Sequence, residues 1–295
     1  MDLSPYLEFA TRLAHRAGRI TLGYYQTGLR PDFKADDTPV TAADRAAEQF
    51  IRGEIESHYP EHAIVGEEFG ESGPRSARIR ESAAGSSESA PFSDSAKGPS
   101  GSVPIRDSAK ESVSSFRWII DPIDGTKSFM RGVPLYAVLI GLEIEGQVRL
   151  GAAYYPALDE MLSAADGLGC WWNGRRARVS ALTDLGQAFV CYTNVRNMAK
   201  YGRADAWERI LQAAFACRGW SDAYGYLLVA TGRCEVMLDP VMSLWDCGPF
   251  PPIFREAGGY FGDWQGNPGH TYGEGLACNA ALLPEILQLI GKKGE

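Results

Sequence analysis

No stretch of the chain approaches the roughly 18 consecutive apolar residues that a membrane-spanning helix needs. Its first residues, MDLSPYLEF, show neither the basic nor the apolar region of a secretory leader. We therefore expect a cytoplasmic protein with no membrane association. Basic residues are outnumbered, 29 Lys and Arg against 37 Asp and Glu, for a formal net charge of −8. That balance argues against nucleic acid as the main partner, because phosphate backbones need a basic surface. It also means that an anionic substrate would depend on a local positive centre. The six cysteines are scattered with no C-x-x-C pair, so they read as free thiols and not as a disulfide framework or zinc site. The four histidines, His15, His58, His62 and His270, lie outside every motif found below, which disfavours a Ser-His-Asp or Cys-His nucleophile. No P-loop lysine motif is present, and DGLGCWWNG does not fit G-x-G-x-x-G.

What is present is a soluble-protein composition, 45% hydrophobic and 22% charged over 295 residues, with ample material for a core. Residues 4–26 have helical periodicity, with Leu7, Ala10, Leu13, Ala14, Ala17 and Ile20 on one face and Ser4-Pro5 as a start signal. A second helix is expected from Thr41, followed by a short buried strand in AIVGEE. Residues 72–115 then hold 14 serines and one aromatic, Phe92, with DSAK repeated at 94–97 and 107–110. Such a segment buries too little apolar surface to offset chain entropy, and we expect a disordered insertion. Strands are expected over 116–120, 135–144, 147–155 and 161–165, with Glu145-Gly146 and Asn173-Gly174 as tight turns. The second half alternates: strand near 188–192, helices near 204–217 and 222–231, strand 234–238, helix 247–257, strand 259–263 and a final helix 282–290. The pattern predicts an α+β or layered α/β protein in two sub-domains, residues 1–180 and 181–295.

Acidic residues recur at the ends of these elements: Asp44, Glu67 and Glu68, Asp121 and Asp124, Asp239, and Asp246. Each has a local structural use. Thr41-x-x-Asp44 has the spacing of a capping box, Asp246 could cap a helix, and Asp121 before proline suits a turn. Together they suggest more. In WIIDPIDGTKSF a buried strand runs into two carboxylates three residues apart, and burying them unpaired is costly. Carboxylate oxygens are hard ligands that suit Mg²⁺ or Mn²⁺. Gly125 would let the backbone approach a ligand, and Thr126 offers a hydroxyl and an N–H. Two cations roughly 3.5–4 Å apart would clamp a phosphate and its attacking water. Rival motifs fail on spacing. An EF-hand loop starting at Asp121 would need Glu where Gly132 stands, and D-x-x-D-G-T is one residue longer than the D-x-D-x-T of aspartyl-nucleophile phosphatases.

GEE, WIIDPIDGTKSF and WDCGPFPPIFREAGG, together with TPVTAADRAAE and DGLGCWWNG, resemble in content and order the signatures of the inositol monophosphatase superfamily. The resemblance covers nearly all the chain except 72–115. It implies an αβαβα sandwich, a homodimer, and a phosphomonoesterase using two or three Mg²⁺, for which Mn²⁺ could substitute. It further implies Glu67, Asp121, the Ile123 carbonyl, Asp124 and Asp246 as metal ligands. Thr126 and Asp44 would activate water that Glu67 helps to orient, and Gly125 and Thr126 N–H groups would hold phosphate, with Asp124 and Asp246 also facing substrate. DGTKSF in place of DGTTNF, and SDAYGY later, resemble the histidinol-phosphatase branch. Asp222 and Asp239 would there meet a cationic alcohol, although Asp222 could instead cap the 222–231 helix. Inositol-1-phosphatase, a sulfur-pathway nucleotide phosphatase and a non-catalytic metal-binding protein remain alternatives. Gly248, Pro249, Pro251 and Pro252 depart from the family pattern, so that helix should start late or kink.

Overall fold

The structure is a computed structural model, which describes residues 1–28, 31–33, 39–74 and 115–291. Nearly all of the expected insertion, residues 75–114, lies outside the described residues. Two sheets form the frame. The larger is built from β3 (Ala63–Gly66), β4 (Gly70–Ser72), β5 (Phe116–Asp124), β6 (Ala137–Ile144), β7 (Gln147–Tyr155), β8 (Glu160–Ala165), β9 (Gly169–Trp172) and β10 (Arg175–Arg176), in the order β10-β9-β8-β7-β6-β5-β3-β4. Among the described residues only its β3–β5 pair is parallel. The smaller contains β11 (Phe189–Tyr192), β12 (Ala216–Arg218), β13 (Val236–Asp239), β14 (Gly259–Gly262) and β15 (Gly275–Asn279), in the order β12-β11-β13-β15-β14. A two-stranded ribbon, β1 (Asp32–Phe33) and β2 (Pro39–Val40), stands apart.

Side-chain alternation along the strands sets the layers. Trp118, Ile120, Val138, Ile140 and Leu142 face α1 (Ser4–Tyr24) and α2 (Ala42–His58). The opposite faces of both sheets, through residues such as Leu139, Tyr155, Met237 and Phe261, meet a central helical layer. That layer holds α6 (Asp222–Ala230), α7 (Leu244–Cys247) and α8 (Phe250–Ala257). Among the described residues the remaining α-helices are α3 (Thr126–Met130), α4 (Val195–Lys200), α5 (Ala204–Ala213) and α9 (Leu283–Gly291), and α5 and α9 cover the outer face of the small sheet through Trp207, Ile210, Ile286 and Ile290. The order helix, sheet, helix, sheet, helix is the expected αβαβα sandwich. Helix α6 is buried on nearly every side, as a helix between two sheets must be.

The expected helix 247–257 is broken in two. Proline at 249 cannot donate to a helix ladder, and the chain passes from α7 through Gly248 and Pro249 before α8 begins. The break sits directly on the large sheet. A Cβ at Gly141 would lie 2.5 Å from the Gly248 carbonyl oxygen, and one at Gly151 would lie 2.1 Å from that of Pro249. Glycine on β6 and β7 is what admits this contact. Two other expectations are corrected. The helix expected over 204–217 ends at Ala213, and residues 216–218 pair with β11 as the edge strand β12. Strand β15, in GLACN, was not anticipated. Both expected tight turns are present, with positive φ at Glu145 (52°) and Gly146 (78°), and at Asn173 (45°) and Gly174 (76°). No helix among the described residues is long and apolar enough to cross a membrane.

Candidate active site

The parallel pairs β3–β5 and β11–β13 each present carboxyl ends, and the acids gather there. Open α/β sheets bind ligands at that end of their strands. Along β5, Ile119 packs toward Leu244 and Trp245 of α7, so Asp121, two residues on, points toward the same helix. The pairing with β6 slips between Asp121 and Asp124: Asp121 opposes Leu139 but Asp124 opposes Ala137. One extra residue on β5 is thereby accommodated, the signature of a β-bulge. Pro122 leaves no N–H to orphan there, and the Ile123 N–H donates to Asp121 Oδ1 at 3.0 Å. The bulge brings Asp121 and Asp124 to one place. Oxygens of Asp121, Asp124 and Asp246 lie within 4.8 Å of one another.

Asp246 arrives from α7. It is not the helix cap that the sequence suggested. Ser243 is the N-cap and Asp246 the third helical residue, whose Oδ2 accepts the Ser243 N–H at 2.7 Å. Asp44 is held likewise on α2, its Oδ2 accepting from Thr41 N at 2.8 Å and Thr41 Oγ1 at 2.5 Å. The expected capping box is therefore real, and it does not exhaust the residue. The other oxygen, Oδ1, stands 3.4 Å from Thr126 Oγ1, which is also 3.1 Å from the Ile123 carbonyl. Glu67 follows β3, and its charge acts on both Asp121 and Asp246. Gly125 takes φ 84°, and a Cβ there would meet the Leu135 carbonyl at 2.9 Å and Asp222 Oδ2 at 3.3 Å.

Such crowding has an electrostatic cost. Burial pushes the Asp121 carboxyl well above the usual range, and Glu67, Asp124 and Asp246 raise it further. Burial does the same to Asp124, reinforced by Asp222 and Asp246 and opposed by the Ala223 N–H, which reaches Oδ2 at 2.6 Å. Asp246 is pushed by burial to about 7 and Asp44 to about 6, each opposed by its capping bonds. A set of hard oxygen donors that repel one another and are withdrawn from water fits a divalent cation, which would neutralise them.

A second group of acids adjoins the first. Asp222, Asp239 and Asp246 line a small cleft of ≈ 60 Å³ with Asp124, Thr193 and Tyr226. Asp239 ends β13 and accepts the Tyr226 hydroxyl at 2.9 Å. Burial raises it to about 7. Asp222 does not cap its helix with a side-chain bond. It is the first residue of α6, at φ 54°, with its N–H donating to Thr193 Oγ1 at 3.0 Å. Burial raises its carboxyl, against the Ser221 hydroxyl, the Lys127 charge and the Ser128 hydroxyl. A roomier cleft of ≈ 540 Å³ lies against β7, α8 and residues 268–272, and none of these acids line it.

Sequence reasoning missed the supports. Glu48, fully buried on α2, accepts the N–H groups of Glu68 (2.7 Å) and Phe69 (3.1 Å) and the Arg52 Nε (2.8 Å). Arg52 also reaches Ser72 Oγ at 3.0 Å and the Gly70 carbonyl. The pair thus ties down the turn that carries Glu67. Its i, i+4 spacing was visible, but such pairs on helices are usually solvated. Thr193 gave no signal beyond its place just after a strand.

Fold and site together point to the class of phosphomonoesterases, with an acidic group that could hold a metal ion. The model of the inositol monophosphatase family matches residues 2–294, and the chain belongs to that family. It is a phosphoric monoester hydrolase. It is 38% identical to a histidinol-phosphatase of Chlorobaculum parvum, over 98% of each chain, and 31% identical to one of Streptomyces coelicolor, over 97% of each. It is 28% identical to the Nus factor SuhB of Escherichia coli, over 97% of this chain and 95% of that one. Among solved structures, an inositol monophosphatase from Zymomonas mobilis superposes with TM-score 0.76 at 27% identity, covering 99% of this chain and all of the other. The extragenic suppressor protein suhB of Bartonella henselae superposes with TM-score 0.80, over 99% of this chain and 100% of that one; at 24% identity it speaks to the fold alone.

Proposed function

We propose that the chain hydrolyses L-histidinol phosphate to L-histidinol and phosphate. The observation that carries this reading is the second carboxylate group, Asp222 and Asp239, beside the first. An alcohol bearing an ammonium group would be held there by charge-assisted hydrogen bonds, whereas a neutral cyclitol offers only hydroxyls. The names of the relatives at 38% and 31% identity support it.

Asp121, Asp124, Asp246, Glu67 and the Ile123 carbonyl are the groups that would hold two or three Mg²⁺, with Mn²⁺ able to substitute. When bound, the cations neutralise the phosphate and lower the pKa of the attacking water. The chain's own residues do the rest. Gly125 and Thr126 N–H groups orient the phosphate. Glu67 orients the water. Thr126 Oγ1 accepts the water's proton while passing its own to Asp44 Oδ1, whose proton affinity is raised by burial. The new phosphorus–oxygen bond forms as the ester bond breaks, and the departing alkoxide takes a proton from solvent.

The test is a panel of L-histidinol phosphate, inositol 1-phosphate and p-nitrophenyl phosphate ranked by kcat/KM, with Mg²⁺ and with EDTA. We expect at least about tenfold preference for histidinol phosphate, the scale of one charge-assisted hydrogen bond, and loss of all three activities in EDTA. A preference for inositol 1-phosphate would overturn the substrate assignment, and EDTA-resistant turnover would overturn the metal site.

A further inference from the structure

We propose that Thr193 is the positioning residue that makes Asp222 and Asp239 a single recognition site for a cationic alcohol; this rests on the substrate reading above. Asp222 begins α6 and Asp239 ends β13, so the two carboxylates belong to separate elements. Thr193 follows β11, the strand that runs parallel to β13. Its hydroxyl oxygen accepts the Asp222 N–H at 3.0 Å. Thr193 also lies beside Asp239 in the cleft, where its hydroxyl and backbone favour the ionised carboxylate. A hydroxyl has one proton to give and two lone pairs to receive with, so it can donate to the acid and accept from the amide at once. Valine, of the same shape, can do neither.

The two contacts do different things. Asp222 sits at φ 54°, a left-handed conformation that a non-glycine residue holds only when its surroundings enforce it. The bond from its N–H to Thr193 is one such restraint, and the Ala223 N–H bond to Asp124 is the next. With both in place the Asp222 side chain is pinned against the Gly125 turn. The contact with Asp239 acts on charge. Thr193 and Tyr226 both favour the ionised form of that buried acid, and the ionised form is the one that attracts an ammonium group. One side chain thus fixes the position of one acid and supports the charge of the other. Thr193 also lines the cleft itself.

The experiment compares the parent with Thr193→Val and Thr193→Ser, using L-histidinol phosphate and p-nitrophenyl phosphate with Mg²⁺. Valine keeps the shape and removes the hydroxyl. We expect KM for histidinol phosphate to rise at least tenfold with kcat changed less than threefold. The ratio of kcat/KM for histidinol phosphate over p-nitrophenyl phosphate should fall at least tenfold. Serine should restore both to within threefold of the parent. Equal losses on the two esters, or failure of serine to rescue a folded protein, would mean that Thr193 is only structural and would overturn the inference. So would an unchanged ratio in Thr193→Val. A parent that shows no preference for histidinol phosphate would instead sink the substrate reading, and this inference with it. Thermal melts confirm that each variant is folded.

Discussion

Asp124 shows how one residue can serve two masters. One oxygen accepts the Ala223 N–H and so fastens α6, while the carboxylate as a whole belongs to the cluster with Asp121 and Asp246. Asp124→Asn keeps an acceptor for Ala223 but removes a charge that its neighbours oppose. We expect at least about a thousandfold loss of activity, the scale of losing a principal electrostatic group, with the metal-free melting temperature unchanged or higher. Activity within tenfold of the parent would show that Asp124 holds no cation. Asp222→Asn should act differently. It keeps the side chain's shape, so the expected effect is a rise in KM for histidinol phosphate of at least about tenfold, with a smaller effect on p-nitrophenyl phosphate. Comparable losses on both esters would assign Asp222 to the hydrolytic machinery.

Among elements, the interrupted pair α7–α8 sets the position of Asp246, because its break is seated on Gly141 and Gly151. Gly151→Ala should cost roughly 1–3 kcal/mol, as overpacking does, and lower kcat by displacing α7. Gly53→Ala, on the exposed side of α2 with nothing near its Cβ position, should stabilise by about 0.5–1 kcal/mol. Chemical denaturation of the two variants checks both, and a neutral Gly151→Ala would show that the sheet yields to the extra methyl. These elements also show what a sequence discloses. The long helices α1 and α2 and the strands β5 to β8 were legible because their periodicity is strong and they are bounded by caps and turns. The acids of the cluster were legible because they end such elements. Strands β12 and β15 were not: three residues carry no period, and Gly275, Ala277 and Cys278 have little intrinsic strand preference. The break after Cys247 could be foreseen from Pro249, but its seat on β6 and β7 depends on contacts about a hundred residues apart. Thr193 stayed hidden because its partners, Asp222 and Asp239, come from two other segments of the chain.

For the molecule as a whole, the buried acids make stability depend on pH in an uncommon direction. Asp44 and Asp239, near 6 and 7 in the folded protein, would titrate near 3.9 when unfolded. Between those values the folded state binds more protons, so stability falls as pH rises. Glu143 works the other way: the His270 and Arg117 bonds draw it down to about 2, and its contribution is lost only as pH falls through that range. In EDTA we expect the melting temperature to decline from pH 5 to pH 8, and Mg²⁺ to raise it more at pH 8 than at pH 5. A metal-free melting temperature that is flat or rising over that interval would contradict the burial of these charges. The division of the site between two sheets has a longer reach. On the roles proposed above, Glu67, Asp121, Asp124 and Thr126 belong to the large sheet and its loops, and Thr193 and Asp239 to the small one, with Asp222 leading into the helix between them. Descent with modification can then work on the second sheet while the first is held constant. A duplicated gene could drift toward a new alcohol through changes near residues 193, 222 and 239 without passing through an inactive ancestor.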